Sequence, residues 1–236
     1  MSFTSLHFYV FLITLLVVLR FLKYNSTKKA MLLVASYWFY MSWDWRFGAL
    51  LFVMTTVNFY CGRMINQAVR PKLWLSISLV FSLGTLGLFN YFNFFLENID
   101  AMAALMGLSS HVNVLHILLP VGISFYTFQA LSYTIDIYRR ELEPVSSLAD
   151  FALFVSFFPQ LVAGPIVRAS YFLPQLAQNH VADSKAQQEG VMLIVRGLIK
   201  KVLLADVLAL HLVDPAFSAY STQSSAFLLL GLVAYS

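Results

Sequence analysis

The sequence predicts an all-α protein, a polytopic bundle of transmembrane helices containing one broken or re-entrant segment. Three observations predict it. Of the 236 residues 60% are hydrophobic and only 11% are charged, with a mean hydropathy of +0.76, a balance that argues against a soluble globular domain. Residues 73–96 contain no charged side chain, a stretch long enough to carry one helix across a hydrocarbon core. Finally, Lys and Arg gather in short segments between apolar runs, the distribution that holds loops in the cytoplasm.

The first apolar run, 8–19, has no basic residue before it and no small-residue cleavage pattern after it, so it reads as a span and not as a removable leader. Arg20, Lys23, Lys28 and Lys29 follow, which puts that loop inside and the N-terminus outside. Run 30–41 returns outward and ends among Trp38, Trp43 and Trp45, side chains suited to the membrane interface, with Asp44 and Arg46 marking an outer turn. Run 47–60 leads back to Arg63, Arg70 and Lys72. Run 73–96 then crosses again, and Glu97 and Asp100 open an outer loop that extends to about His116. Along this path every basic residue except Arg46 is cytoplasmic, given that the broken segment re-enters on its own side and the later basic residues stay inside.

Residues 117–135 are again free of charge. Pro120 suits the first turn of a helix, where its missing N–H removes no intrahelical bond, so the helix is expected to begin there. At about 100° per residue, Gly122, Tyr126, Gln129, Tyr133, Asp136 and Arg140 share one side. A polar stripe of this kind must face other protein or a water-filled cavity, because an amide or carboxylate against lipid costs several kcal/mol. For Asp136 a simpler reading is an ion pair with Arg139 or Arg140 near the membrane surface.

The next uncharged run, 151–167, contains Pro159, Gly164 and Pro165. Proline inside a helix removes a backbone bond and clashes with the preceding turn, so a broken or re-entrant segment is expected here. Backbone of that kind is tolerated at membrane depth only where protein encloses it or where it lines a cavity. Beyond Arg168, residues 171–190 form the most polar stretch and read as a cytoplasmic surface segment. Within and after it, Lys185, Glu189, Arg196 and Lys200 would lie on one helical face, either at lipid headgroups or against the phosphates of an acyl donor. Run 202–213 is apolar apart from Asp206 and His211 and too short to span alone. Residues 226–236 start what reads as a further span and reach about half the needed length, so the chain is expected to be a single membrane domain, 1–236, truncated at its C-terminus.

The net charge of +4 and pI near 9.2 do not point to nucleic acid, since no basic cluster accompanies them and Lys/Arg placement here serves topology. The single cysteine, Cys61, permits no intrachain disulfide and has no metal-ligand neighbours. No Gly-rich phosphate loop is present, and no metal site is expected.

The segments GISFYTFQALSYTIDIYRR at 122–140, FFPQLVAGPIVR at 157–168 and KKVLLAD at 200–206 resemble the membrane-bound O-acyltransferase family. The bacterial branch that includes the membrane subunit of alginate O-acetylation is the most similar. The resemblance covers essentially the whole chain and implies a partial family fold, in the bacterial inner membrane, belonging to an enzyme that passes an acyl group from a cytoplasmic donor to a hydroxyl across the membrane. It implies no bound cofactor, acetyl coenzyme A as candidate donor, and a polysaccharide acceptor or an extracytoplasmic acetyltransferase as partner, besides the lipid bilayer itself. Members of this branch carry their catalytic histidine in a Trp-His pair near an Asp-Phe-Trp-Arg-Arg stretch, and neither occurs here. His7, His111, His116, His180 and His211 match no part of that motif, so no catalytic residue is carried over and the chain alone is expected to be inactive. The residues expected to wall the channel are Tyr126, Gln129 and Tyr133 from the stripe, with Pro159, Gln160, Gly164, Pro165 and Arg168 from the broken segment. A transporter or export channel without covalent chemistry would use the same stripe and break, and an inactive remnant is the third alternative.

Overall fold

The computed structural model describes residues 5–105, 118–162, 164–178, 183–218 and 223–235. Among them the only regular secondary structure is helical. The chain divides into two compact units, Met1–Asn179 and His180–Ser236.

The first unit begins with α1 (Leu6–Phe21), capped by Ser5, whose hydroxyl accepts from the Phe8 N–H at 3.3 Å. Helix α2 (Asn25–Met41) ends where the Ser42 hydroxyl folds back onto the Phe39 carbonyl at 2.6 Å. Asp44 then caps α3 (Trp45–Gln67) by accepting from the Arg46 N–H at 2.9 Å. Pro71 opens α4 (Pro71–Leu105), the placement that proline favours. The outer loop does not begin at Glu97 as expected: α4 continues through Glu97 and Asp100 to Leu105, because nothing in that stretch breaks a helix. The rest of that expected loop, 106–116, lies outside the described residues.

Among the described residues two helices are long and apolar enough to cross a membrane, α3 over 23 residues and α4 over Pro71–Phe92. The helix predicted from Pro120 starts later. Residues 118–120 are non-helical, Gly122 takes a left-handed conformation (φ 78°), and α5 covers only Ile123–Tyr138. Its 16 residues rise about 24 Å at 1.5 Å each, short of a full crossing.

Next come α6 (Leu148–Ser156), the short α7 (Phe158–Leu161) and α8 (Ala169–Ala177). Within the polar stretch 171–190 expected on the surface, Phe172 is half-buried and meets the Phe154 and Phe157 rings at 5.6 and 5.2 Å. Helix α3 packs on α4 and α5, α4 on α5, and α2 on α3 and α6. One apolar cluster, with Tyr40, Leu51, Met54, Phe59, Tyr126 and Phe151 at its centre, joins α2, α3, α5 and α6. A second brings Phe8 and Leu15 of α1 against Ala35, Phe39 and Phe158.

The second unit has α9 (Ser184–Ile199), a π-helical stretch Lys200–Ala205, α10 (Asp206–Leu208), a second π stretch Ala209–Val213, and α11 (Asp214–Ser218), so the chain stays helical from 184 to 218. The apolar run 202–213 is thus the later part of one long helical segment. Lys201 and Asp206, five residues apart, form an ion pair, a spacing that the wider π turn brings together. Helix α12 (Ser225–Tyr235) packs on the second π stretch and α11.

Candidate functional site

The stripe residues of α5 turn inward. Tyr126 and Tyr133 are fully buried, and Gln129 and Asp136 nearly so. What meets them is the helix break. An uninterrupted helix would join the Phe158 N–H to the Phe154 carbonyl, but the backbone at Phe157 leaves helical geometry (ψ 107°) and Pro159 supplies no N–H to continue it. The freed Phe154 carbonyl accepts from the Gln129 side-chain amide at 2.7 Å and from that of Gln160 at 3.1 Å. The freed Phe158 N–H donates to the Ser36 hydroxyl of α2 at 3.3 Å. Buried backbone groups released by a break thus find side-chain partners, as the cost of leaving them unpaired demands.

Around this point the packing is close. A Cβ added at Gly122 would run into the Leu161 carbonyl, so the start of α5 touches the end of α7. The Tyr133 ring lies 4.3 Å from that of Phe151, and its hydroxyl accepts from the Val145 N–H at 3.1 Å. Gly62 of α3 makes that ring position available, since a Cβ there would stand 2.6 Å from Tyr133 Cε1. Tyr126 meets Tyr40 edge to face at 6.2 Å, and neither hydroxyl has a well-formed hydrogen bond among the described residues.

The eight sequence-predicted site residues therefore separate. Tyr126, Gln129 and Tyr133 gather in the interior around α6, with half-buried Gln160 beside them. Gly164 is half-buried, and Pro159, Pro165 and Arg168 are exposed. Arg168 begins α8 through its carbonyl, which accepts from the Tyr171 and Phe172 N–H groups at 3.1 and 3.2 Å, while its side chain faces outward. The simple ion pair for Asp136 does not form. Helix α5 ends at Tyr138, Arg140 adopts a left-handed conformation (φ 62°), and both arginines are carried to the surface away from the buried carboxylate.

Two polar features escaped the sequence reading. Asn58 of α3 donates to the Ser82 hydroxyl at 3.0 Å and accepts from Ser78 at 2.7 Å, and Ser78 in turn lies 3.0 Å from the Thr134 hydroxyl. All four are fully buried, so one network joins α3, α4 and α5. The four-residue spacing of Ser78 and Ser82 was its one visible signal. Lys29 of α2 pairs with Asp150 of α6 at 2.9 Å, both about three-quarters buried, and nearby Asn25 donates to the Leu176 carbonyl at 3.0 Å. Neither contact follows from local spacing.

A cavity of about 620 Å³ lies between α1 and α2, lined mostly by apolar side chains with His7, Thr14 and Trp38 among them. None of the sequence-predicted site residues lines it. His7 and His211 are exposed, and His111, His116 and His180 lie outside the described residues. Among the described residues no group of three His, Cys, Asp or Glu could hold a metal ion.

Over its whole length the chain is 38% identical, across 240 aligned residues, to the probable alginate O-acetylase of Azotobacter vinelandii, of which it covers 47%. It is 37% identical across 241 residues to the corresponding protein of Pseudomonas aeruginosa, covering 45% of it. It is also 33% identical across 225 residues to the peptidoglycan O-acetyltransferase of Helicobacter pylori, an alignment that takes in 83% of this chain and 42% of that protein. The chain thus spans about half the length of the curated relatives it matches. No family model and no solved structure matches it.

Proposed function

We propose that this chain, which belongs to the membrane-bound O-acyltransferase family, forms the N-terminal portion of an enzyme that passes an acetyl group to hydroxyls of an extracytoplasmic polysaccharide. The observation that carries this reading is the similarity, along all or most of the chain, to relatives named for O-acetylation of two different polymers, alginate and peptidoglycan. What those names share is the transfer chemistry, so the reading assigns the reaction and leaves the acceptor polymer open.

In this reading the first unit is a polytopic bundle in the bacterial inner membrane with its N-terminus outside, and acetyl coenzyme A is the cytoplasmic donor. The histidine acting as general base toward the acceptor hydroxyl lies in the part of the enzyme that this chain does not include. The broken helix supports the assignment. Phe154 and Phe158, the two ends of the break, are buried, and non-helical backbone at membrane depth is tolerated where protein encloses it or a path runs beside it. Pro159, Gln160, Gly164, Pro165 and Arg168 then form the wall that leads from this interior to the exposed side, with Tyr126, Gln129 and Tyr133 behind it.

The test is to express the intact gene product in cells lacking surface-polymer acetylation and to measure ester-linked acetyl on the polymer. The measurement is repeated with alanine at the histidine of the Trp-His pair that the reading places beyond residue 236. Acetylation that requires that histidine is the expected result. Acetylation that survives without it, or none from the intact product, would overturn the assignment.

A further inference from the structure

The helix break depends on a residue that neither the stripe nor the proline pattern singles out. Ser36 sits in mid-α2 with no exposed surface, and its hydroxyl receives the Phe158 N–H at 3.3 Å from a residue 122 positions away. Phe158 is the residue on which the break turns: its N–H has lost the Phe154 carbonyl, and Pro159 after it has none to offer. The α2 face around Ser36 is shaped for that residue. The Phe39 ring lies 5.6 Å from the Phe158 ring, with Phe8 and Phe11 of α1 closing the other side at 6.3 and 5.3 Å. The ring is thus held by aromatic packing and the amide by one hydroxyl. Gln129 does the matching work at the other end of the break, on the Phe154 carbonyl. A buried N–H with no acceptor is costly enough to make the backbone seek another geometry.

We propose that Ser36 is a positioning residue: by accepting the Phe158 N–H it holds the turn at 157–159 in one geometry, and with it the stretch 164–168 that leaves the break. The inference rests on the reading that this stretch borders the acyl-transfer path. It adds to that reading a residue from another helix, acting through backbone and not on substrate.

The experiment uses Ile166, which is exposed, as a reporter. In membrane vesicles, Ile166→Cys in a Cys61→Ala background is labelled with N-ethylmaleimide, with Ser36 intact, as Ser36→Ala and as Ser36→Thr, and acetyl transfer by the intact enzyme is measured for the same three. Loss of the acceptor is expected to change the labelling rate about tenfold and to lower kcat about tenfold while KM for the donor stays within about twofold. Ser36→Thr, which keeps the oxygen, restores both. Unchanged labelling and transfer in Ser36→Ala at normal membrane abundance would overturn the proposal. So would a threonine variant as impaired as the alanine one, including loss of both from the membrane, because the acceptor would then not be what matters. If Ser36→Ala alone is lost and Ser36→Thr behaves as the parent, the proposal stands. Absence of transfer in the parent would count against the functional reading alone, and the labelling comparison would still decide the role of Ser36.

Discussion

Gln129 and Gln160 donate to the same acceptor, the carbonyl of Phe154, from two different helices at 2.7 and 3.1 Å. One comes from the polar stripe of α5 and the other from the far side of the helix break. The shared carbonyl is the one that the break orphans, so the stripe and the break are a single arrangement.

This sharing predicts unequal losses. Gln129→Ala removes the shorter, more buried bond and is expected to destabilise the protein by about 1–2 kcal/mol, whereas Gln160→Ala costs less because Gln129 remains. The double variant should cost more than the sum, since only then does the carbonyl lose both donors. Thermal denaturation of the purified protein in detergent checks this, and additive losses would show that the two amides act separately.

Gly122 gives a second test. It adopts φ 78° and faces the Leu161 carbonyl with no room for a Cβ. Gly122→Ala therefore meets both left-handed strain and a backbone clash, and is expected to cost at least about 2 kcal/mol. Gly84→Ala in α4 is the control. Nothing lies within 4 Å of a Cβ there, so the change should be neutral or stabilising by up to about 1 kcal/mol. Melting temperatures of the two variants measured side by side would decide it.

These particular residues also show what the sequence could reveal. The 3.6-residue period placed Tyr126, Gln129, Tyr133 and Asp136 on one face, and they are the buried face of α5. The prolines located the break to within a few residues. What the period could not supply was any partner. Ser36 and Phe158 are 122 positions apart and Lys29 and Asp150 are 121 apart, so these contacts arise from tertiary packing that no local pattern encodes. The start of α5 differs for a related reason: Pro120 is compatible with a first turn, but Gly122, in left-handed conformation against the Leu161 carbonyl, separates it from the helix, which begins three residues later at Ile123. In α4 the difference runs the opposite way: Glu97 and Asp100 suggest a loop, yet neither residue breaks a helix and the chain stays helical through both.

The Asn58 network predicts how α3, α4 and α5 are held. Where helices pack within a bilayer, apolar burial does not drive them together, and close packing and interhelical hydrogen bonds carry more of the association. Asn58→Ala leaves Ser78 and Ser82 without their shared partner and removes contact volume as well. The hydrogen-bond part of the loss is expected to be about 0.6–1.7 kcal/mol. Asn58→Ala combined with Ser78→Ala should cost less than the two single losses added. A double-mutant cycle read by denaturation measures the coupling, and a coupling near zero would mean that the hydroxyls find other partners.

Arg168 offers a test of the proposed wall that is separate from folding. Its carbonyl starts α8, which any residue can do, while its guanidinium is exposed and, among the described residues, within ion-pair distance of no carboxylate. Replacing it should therefore leave stability nearly unchanged, within about 0.5 kcal/mol. If the guanidinium binds a phosphate or carboxylate of donor or acceptor, Arg168→Ala should lower acetyl transfer by the intact enzyme about tenfold or more, and Arg168→Lys should recover only part, because an ammonium cannot reproduce bidentate geometry. Equal recovery by lysine would instead assign Arg168 to anchoring at the cytoplasmic headgroups, where charge alone suffices. Transfer rates of the three proteins at matched membrane abundance, set beside their melting temperatures, distinguish the two roles: only a ligand contact loses activity while the melting temperature holds and lysine fails to replace arginine.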